Sequence, residues 1–212
     1  GSGVRFRKQA PRGLESKLFA DLRGKPLIVH SLQQFIGLPF IGEIIVPVSA
    51  ILEPRFRKEI ISGVKGNIPI RMVRGGKTRA ESVLNALKRV SKHSDYVCIH
   101  DGARPLVERV WIRAMVKELK NCDGVVLGRK AVPTVKVFDP RTGEVKMTLN
   151  RAELFEAETP QIIKKSVLLK AYQILGRAAF EATDDVSLVE KTGGRIKTFF
   201  HDGINLKVTT FQ

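Results

Sequence analysis

Acidic side chains are scarce in this chain: 21 Asp and Glu stand against 37 Lys and Arg in 212 residues, for a formal net charge of +16 at pH 7. An excess of that size draws anionic partners, and nucleic acid, an anionic membrane surface or a phosphorylated small molecule would each satisfy it. Aromatic residues are also few, 7% of the chain with one Trp and two Tyr. Neither an aromatic platform for stacking single-stranded bases nor a nucleic-acid recognition motif is present, which disfavours the first partner. Only Cys98 and Cys122 carry thiols. Their strand-like surroundings make them structural thiols of a reducing compartment. No apolar run approaches the roughly 20 residues that cross a bilayer, and no signal-peptide pattern opens the chain. The expected setting is the cytoplasm, or the plastid stroma in a plastid-bearing source. Metal-ligand spacings of the H-x-x-x-H, paired-cysteine and EF-hand kinds are lacking. His30 and His93 sit in helical patterns without ligand partners, and Asp184 and Asp185 suit the first turn of a helix, so no protein metal site is assigned.

Against these absences, 43% hydrophobic residues suffice for one substantial core, and a single domain over residues 1–212 is expected. Its centre is Tyr96–Pro105. Tyr96 to Ile99 suits a short strand buried in a parallel sheet, with a buried helical turn as the alternative at this length, and the run then gives way to His100, Asp101, Gly102, Ala103, Arg104 and Pro105. Ligands of open α/β sheets gather at the carboxyl ends of strands, which favours a polar site here. A mutual salt bridge between Asp101 and Arg104 that merely fixes the loop explains the same residues. Gly102 is read as allowing an unusual backbone.

Along the rest of the chain, strand and helix alternate. Helices are expected after Pro26, over 53–62, from Thr78, from Glu108, over 165–175 and over 184–191. Strands are expected over 41–48 with the ladder ending at Pro47, over 68–73, from Asp123 to Gly128, over 196–200 and over 206–210. This order implies an α/β sandwich. Thr78 and Glu81 have capping-box spacing. The helix start they mark offers free N–H groups to an anion, with Arg79 and Ser82 facing it; a plain cap with a solvated Arg79 fits equally. Residues 130–149 depart from the rhythm. Two alternating segments flank Asp139–Gly143 as an extended hairpin arm, whose edges a second copy of the chain would cover. Near the start, Gly1, Gly3 and Arg5 offer N–H groups and a cation to an anion, although a lone GxG without a preceding strand is weak by itself.

Taken in order, GxGxR at the start, RGGxTRxES at 74–82, HDGARP at 100–105, ETPQ at 158–161, TDD at 183–185 and NLKVT at 205–209 resemble the 2-C-methyl-D-erythritol 4-phosphate cytidylyltransferases of nonmevalonate isoprenoid synthesis. The resemblance spans nearly the whole chain. It implies a Rossmann-like nucleotidyltransferase sandwich with a mainly parallel sheet and a β-hairpin dimerisation arm. It also implies transfer of CMP from CTP to the methylerythritol phosphate with release of pyrophosphate, using Mg²⁺ held mainly by the CTP phosphates. By the family pattern Arg5, Lys17 and Lys207 are catalytic cations, with Gly1 and Gly3 around the triphosphate. Gly76, Lys77 and Ser82 surround the cytosine, and Asp101, Arg104 and Thr159 lie at the acceptor. Thr134 and Arg151 reach into the partner of a homodimer. Lys207 is expected to approach the phosphates from the side opposite Lys17.

The chain departs from the pattern at several points. The family's first strand is missing before Gly1, either left out of this sequence or absent at the expense of nucleotide binding; Lys77 stands where an acidic residue is common, Ile204 stands before Asn205, and Arg12 to Ser16 extends the segment before Lys17. A pentitol-phosphate cytidylyltransferase acting on ribitol 5-phosphate, and a basic nucleic-acid-binding protein, are the competing readings; no nucleic acid or membrane partner is expected on the leading one.

Overall fold

The computed structural model describes residues 16–209; Gly1, Gly3 and Arg5 lie outside them. After a 3₁₀ turn at Lys17–Phe19 comes a small antiparallel hairpin, β1 (Asp21–Leu22) and β2 (Lys25–Pro26). Its two turn residues, Arg23 and Gly24, both have positive φ, as a tight hairpin turn that matches strand twist requires. Helix α1 (Leu27–Gln33) follows directly from Pro26, then β3 (Ile44–Val48), α2 (Glu53–Gly63), β4 (Ile70–Arg74), α3 (Arg79–Leu87) and β5 (Tyr96–Ile99). The second half consists of α4 (Arg109–Glu118), β6 (Gly124–Lys130), β7 (Lys136–Phe138), β8 (Val145–Thr148), β9 (Phe155–Lys164), α5 (Lys165–Leu175), α6 (Val186–Lys191) and β10 (Ile196–Phe200).

The main sheet has the order β10-β6-β9-β5, and β3 pairs in parallel with β4. β10 runs parallel to β6, while β9 runs antiparallel to both β6 and β5. Three of the four strands therefore point the same way, and the long β9 is the reversed one. Alternation along the strands sends side chains into two cores. Val125, Leu127 and Ile162 pack with Trp111, Ile112 and Met115 of α4 on one face. Val126 and Ile163 pack with Leu168 and Ala171 of α5 and Leu188 and Val189 of α6 on the other. A third cluster joins Ile28, Val29 and Leu32 of α1 to Phe56 and Ile60 of α2 and to Val46 and Val48 of β3. Strands covered on both faces explain why β6 begins with five consecutive buried residues.

Three expectations change. Pro47 does not end the ladder but lies within it, opposite Val73. Ile44 donates to Pro69 O and Val48 accepts from Gly75 N, so alternate residues of β3 face β4, and Pro47 turns its missing N–H to the other edge. Residues 206–209 form no strand; the segment is irregular and held at Val208, whose N–H donates to Ala103 O. Gly102 is not among the glycines with positive φ. A Cβ there would meet Ile28 Cδ1 at 2.6 Å, so the loop lies directly on α1.

Candidate functional site

The apolar run of β5 ends at Ile99, and the loop that follows turns through Arg104 N donating to Asp101 O. Ser31 of α1 ties it down by donating to Gly102 O at 2.8 Å. Asp101 thereby sits at the carboxyl end of β5 with its carboxylate between two cations. Lys207 Nζ is 2.5 Å from Oδ2, and Arg79 Nε is 3.6 Å from Oδ1. Burial alone would favour the neutral acid, but Lys207 and Arg79 outweigh it and hold the Asp101 pKa below its ordinary value. Lys17 comes from the 3₁₀ turn Lys17–Phe19 and donates to Val208 O at 2.6 Å. Burial and then the neighbouring Lys207 push its pKa down, against the pull of Asp101. The two lysines are thus close neighbours, with Lys17 bonded to the residue that follows Lys207.

Arg79 opens α3 behind the N-cap Thr78, whose hydroxyl accepts from Glu81 N at 3.1 Å. Glu81 completes the turn by accepting from Lys77 N at 2.6 Å, one residue earlier than a standard capping box. Ser82 Oγ accepts from Gly76 N and donates to Thr78 O, both at 2.9 Å. A Cβ on Gly76 would run into the Glu81 side chain, which explains the glycine. Gly76, Lys77 and Ser82 are therefore gathered at one helix start. Arg79 is not solvated: its side chain is 28% exposed, and Nη1 reaches Asp185 Oδ2 at 2.6 Å. Burial opposes its charge, but Asp185 and Asp101 raise its pKa above the ordinary value. Asp185 itself is 0% exposed, and burial keeps its pKa raised despite the guanidinium.

The alternative account, an Asp101–Arg104 bridge, does not form. Arg104, 13% exposed, turns instead to Glu158 at 3.6 Å and donates to Asn205 O at 2.5 Å. Glu158 is a buried hub: its Oε2 also accepts from Asn205 Nδ2 at 2.7 Å and lies 3.1 Å from His201 Nε2. His201 stacks on Trp111, with ring centroids 4.4 Å apart. Asn205 Nδ2 donates as well to Thr159 O. This cluster anchors the segment that carries Lys207, and beside it opens a cleft of about 460 Å³ lined by Arg104, Arg129, Glu158, Asn205 and Lys207 among others. Sequence reasoning left out Glu158, His201 and Asp185 as site-building residues. The adjoining motifs ETPQ and TDD pointed to two of them, whereas His201 stood in a loop without a motif. Glu158→Gln, which sets an amide donor against Arg104 and His201, is expected to cost roughly 1–3 kcal/mol, read as a lowered unfolding midpoint.

Thr134 and Arg151 are not brought to this cluster within one chain. Both are exposed at the base of the β7–β8 arm, where Arg151 Nη1 donates to Val132 O at 3.1 Å.

The capped start of α3 and the lysines beside the strand-end carboxylate sit on a Rossmann-like sandwich, the fold of the nucleotidyltransferases. The family model described as IspD, 2-C-methyl-D-erythritol 4-phosphate cytidylyltransferase, matches residues 1–212. The enzyme of that name from Dictyoglomus thermophilum is 35% identical over 198 residues, covering 92% of this chain and 85% of the relative. The chloroplastic one from Oryza sativa subsp. japonica is 34% identical over 212 residues, covering 99% and 68%. The crystal structure of 4-diphosphocytidyl-2C-methyl-D-erythritol synthase from Anaerococcus prevotii aligns with a TM-score of 0.82 at 27% identity, covering 91% of this chain and 87% of that one. The chain belongs to the 2-C-methyl-D-erythritol 4-phosphate cytidylyltransferase family, and its reaction is transfer of CMP from CTP to that phosphate. The pentitol-phosphate and nucleic-acid readings are thereby displaced.

Proposed function

We propose that the Asp101, Lys17, Lys207 and Arg79 group is where CMP transfer takes place, with the α3 start at Gly76, Lys77 and Ser82 receiving the cytidine and Gly1, Gly3 and Arg5 adding to the triphosphate cradle. The observation that carries this reading is a carboxylate at a strand end held between Lys207 and Arg79, with Lys17 alongside. An oxygen of the acceptor phosphate attacks the α-phosphorus of CTP. The new O–P bond forms as the bond from that phosphorus to the pyrophosphate oxygen breaks, and pyrophosphate carries away the electron pair. No covalent enzyme intermediate is needed. Lys17 and Lys207 neutralise charge that builds on the phosphates, and Asp101 accepts a hydroxyl hydrogen from the polyol to orient it.

Magnesium use follows the family reading. Among the described residues no group of three His, Cys, Asp or Glu is placed to hold a metal ion, and Asp101 and Asp185 are already spent on cations. A magnesium ion carried on CTP would supply neutralisation of the triphosphate.

The working unit in this reading is a homodimer. Val137, Phe138, Val145 and Met147 of the arm are 38–58% exposed, an apolar surface that a second copy would bury while delivering Thr134 and Arg151 to its acceptor site. Purified protein with CTP and Mg²⁺ should release pyrophosphate and form the cytidine diphosphate ester with methylerythritol phosphate well ahead of ribitol 5-phosphate or erythritol 4-phosphate. Equal turnover of ribitol 5-phosphate would sink the acceptor assignment. Mixing Arg151→Ala with Asp101→Ala chains should restore activity, since about one site in four of a random mixture is intact by symmetry. Mixed dimers without recovery would show both residues acting in one chain.

A further inference from the structure

His100 has no part in the reaction described so far, yet it joins the loop that carries Asp101 and Arg104 to Thr159 of β9. Its Nε2 is 3.0 Å from Arg104 O, and its Nδ1 is 3.2 Å from Thr159 Oγ1. Its ring also packs against Phe35, with centroids 5.0 Å apart. A carbonyl oxygen only accepts, so Nε2 carries the hydrogen. Withdrawal from solvent pushes the imidazole pKa down to about 4, which leaves the ring neutral near pH 7 and Nδ1 a bare acceptor. The Thr159 hydroxyl must then donate to Nδ1. Its oxygen is free to accept, and Asp101 N donates to it at 3.0 Å. The opposite tautomer would set an Nε2 lone pair against the Arg104 carbonyl. The Arg104 carbonyl favours the order Asp101 N–H to Thr159, Thr159 O–H to His100, His100 Nε2–H to Arg104 O.

We propose that His100 and Thr159 are positioning residues that hold the Asp101 backbone so its carboxylate stands between Lys207 and Arg79. The inference rests on the reading of Asp101 as the acceptor-binding carboxylate. It changes the part played by Thr159. The proton of its hydroxyl is committed to His100 and one lone pair to Asp101, so its effect on the acceptor passes through Asp101. Thr159 belongs to β9 and His100 to the β5 loop, and β9 and β5 pair edge to edge up to Ile99↔Gln161. The tie thus transmits the register of the sheet to the position of one carboxylate.

The test compares Thr159→Val, Thr159→Ser and Asp101→Asn in the full chain, with ¹⁵N shifts of the His100 ring measured in the unaltered protein. The expected result is an Nε2–H ring, about a tenfold fall in single-turnover CMP transfer at saturating CTP for Thr159→Val, CTP affinity unchanged, and recovery in Thr159→Ser, which keeps the hydroxyl. A His100 ring with its hydrogen on Nδ1 would overturn the proposal whether or not Thr159→Val folds. So would normal transfer by folded Thr159→Val alongside impaired Asp101→Asn. Normal transfer by Asp101→Asn would overturn the reading of Asp101 itself and, with it, the purpose assigned to the tie.

Discussion

Replacing Lys207 by methionine is expected to lower kcat/KM for CMP transfer by about 10²–10³, the usual loss when one fixed stabiliser of transition-state charge is removed. The methionine keeps the length of the side chain and removes the ammonium. Two consequences separate this from a general loss of folding. Asp101 loses its nearest cation, at 2.5 Å, and keeps Arg79 at 3.6 Å, so the carboxylate stays anchored on one side. Lys17 loses a like charge that helps depress its pKa, while the carboxylate that raises it becomes less screened. Activity that needs charged Lys17 falls as pH rises through its pKa, which lies below the ordinary 10.5 in the unaltered protein. The alkaline limb contributed by Lys17 should therefore move upward in Lys207→Met even as the plateau drops. A profile that falls uniformly at every pH, or a variant with unchanged kcat/KM, would count against coupling of the two lysines at one site.

Much of this site is legible along the chain because its parts are short motifs at element boundaries. The β5 run ends where the apolar residues end, and Asp101 stands two residues later, so once the run is read as a strand its end carries a carboxylate. Thr78 and Glu81 predict the helix start that gathers Gly76, Lys77 and Ser82. What local pattern does not carry is pairing across distance. Asp101 and Arg104 are three residues apart and of opposite charge, yet each finds a partner from elsewhere: Lys207 and Arg79 for one, Glu158 for the other. Sequence separation of these partners runs from 22 residues, for Arg79 and Asp101, to 106, for Lys207 and Asp101. Only the β5-β9 pairing brings Thr159 beside the His100 loop, and only the irregular path of 203–208 brings Asn205 and Lys207 back to it.

The fold has the same division. Helix 165–175 and strand 196–200 are marked by their own side-chain periodicity and appear at those limits. The segment 206–209 has the apolar and β-branched residues of a strand but is held by Val208 N to Ala103 O, by Arg104 to Asn205 O and by Lys17 to Val208 O, partners that no ladder supplies. Pro47 shows the converse. Its lack of an N–H argues against a strand only when that N–H would face a neighbour, and the register that decides this is not written in the local sequence.

Arg79→Met is expected to reduce stability more than any other single change at the site. Arg79 bridges two carboxylates: Asp185, 0% exposed, at 2.6 Å, and Asp101 at 3.6 Å. Its removal leaves Asp185 as a buried charge whose Oδ1 has no hydrogen-bond donor among the described residues. Breaking a buried pair from one side costs about 3 kcal/mol or more, which for a chain of this length lowers the unfolding midpoint by roughly 6–12 °C. The sign with pH distinguishes charge from packing. Asp101 has a depressed folded pKa, so its contribution is present above its unfolded pKa and is lost as pH falls through the folded one. Asp185 has a raised folded pKa, so ionising it costs stability as pH rises from its unfolded pKa through the folded one. Without Arg79 the first contribution shrinks and the second cost grows, and both changes vanish once the carboxylates are protonated. The gap between Arg79→Met and the unaltered protein should therefore be wide at neutral pH and close as the pH falls below the carboxylate range. Adding Asp185→Asn should recover part of the loss at pH 7, because the neutral amide no longer needs a cation. A stability gap that is the same at pH 4 and pH 7, with no recovery in the double variant, would assign the loss to the arginine's packing and not to its charge.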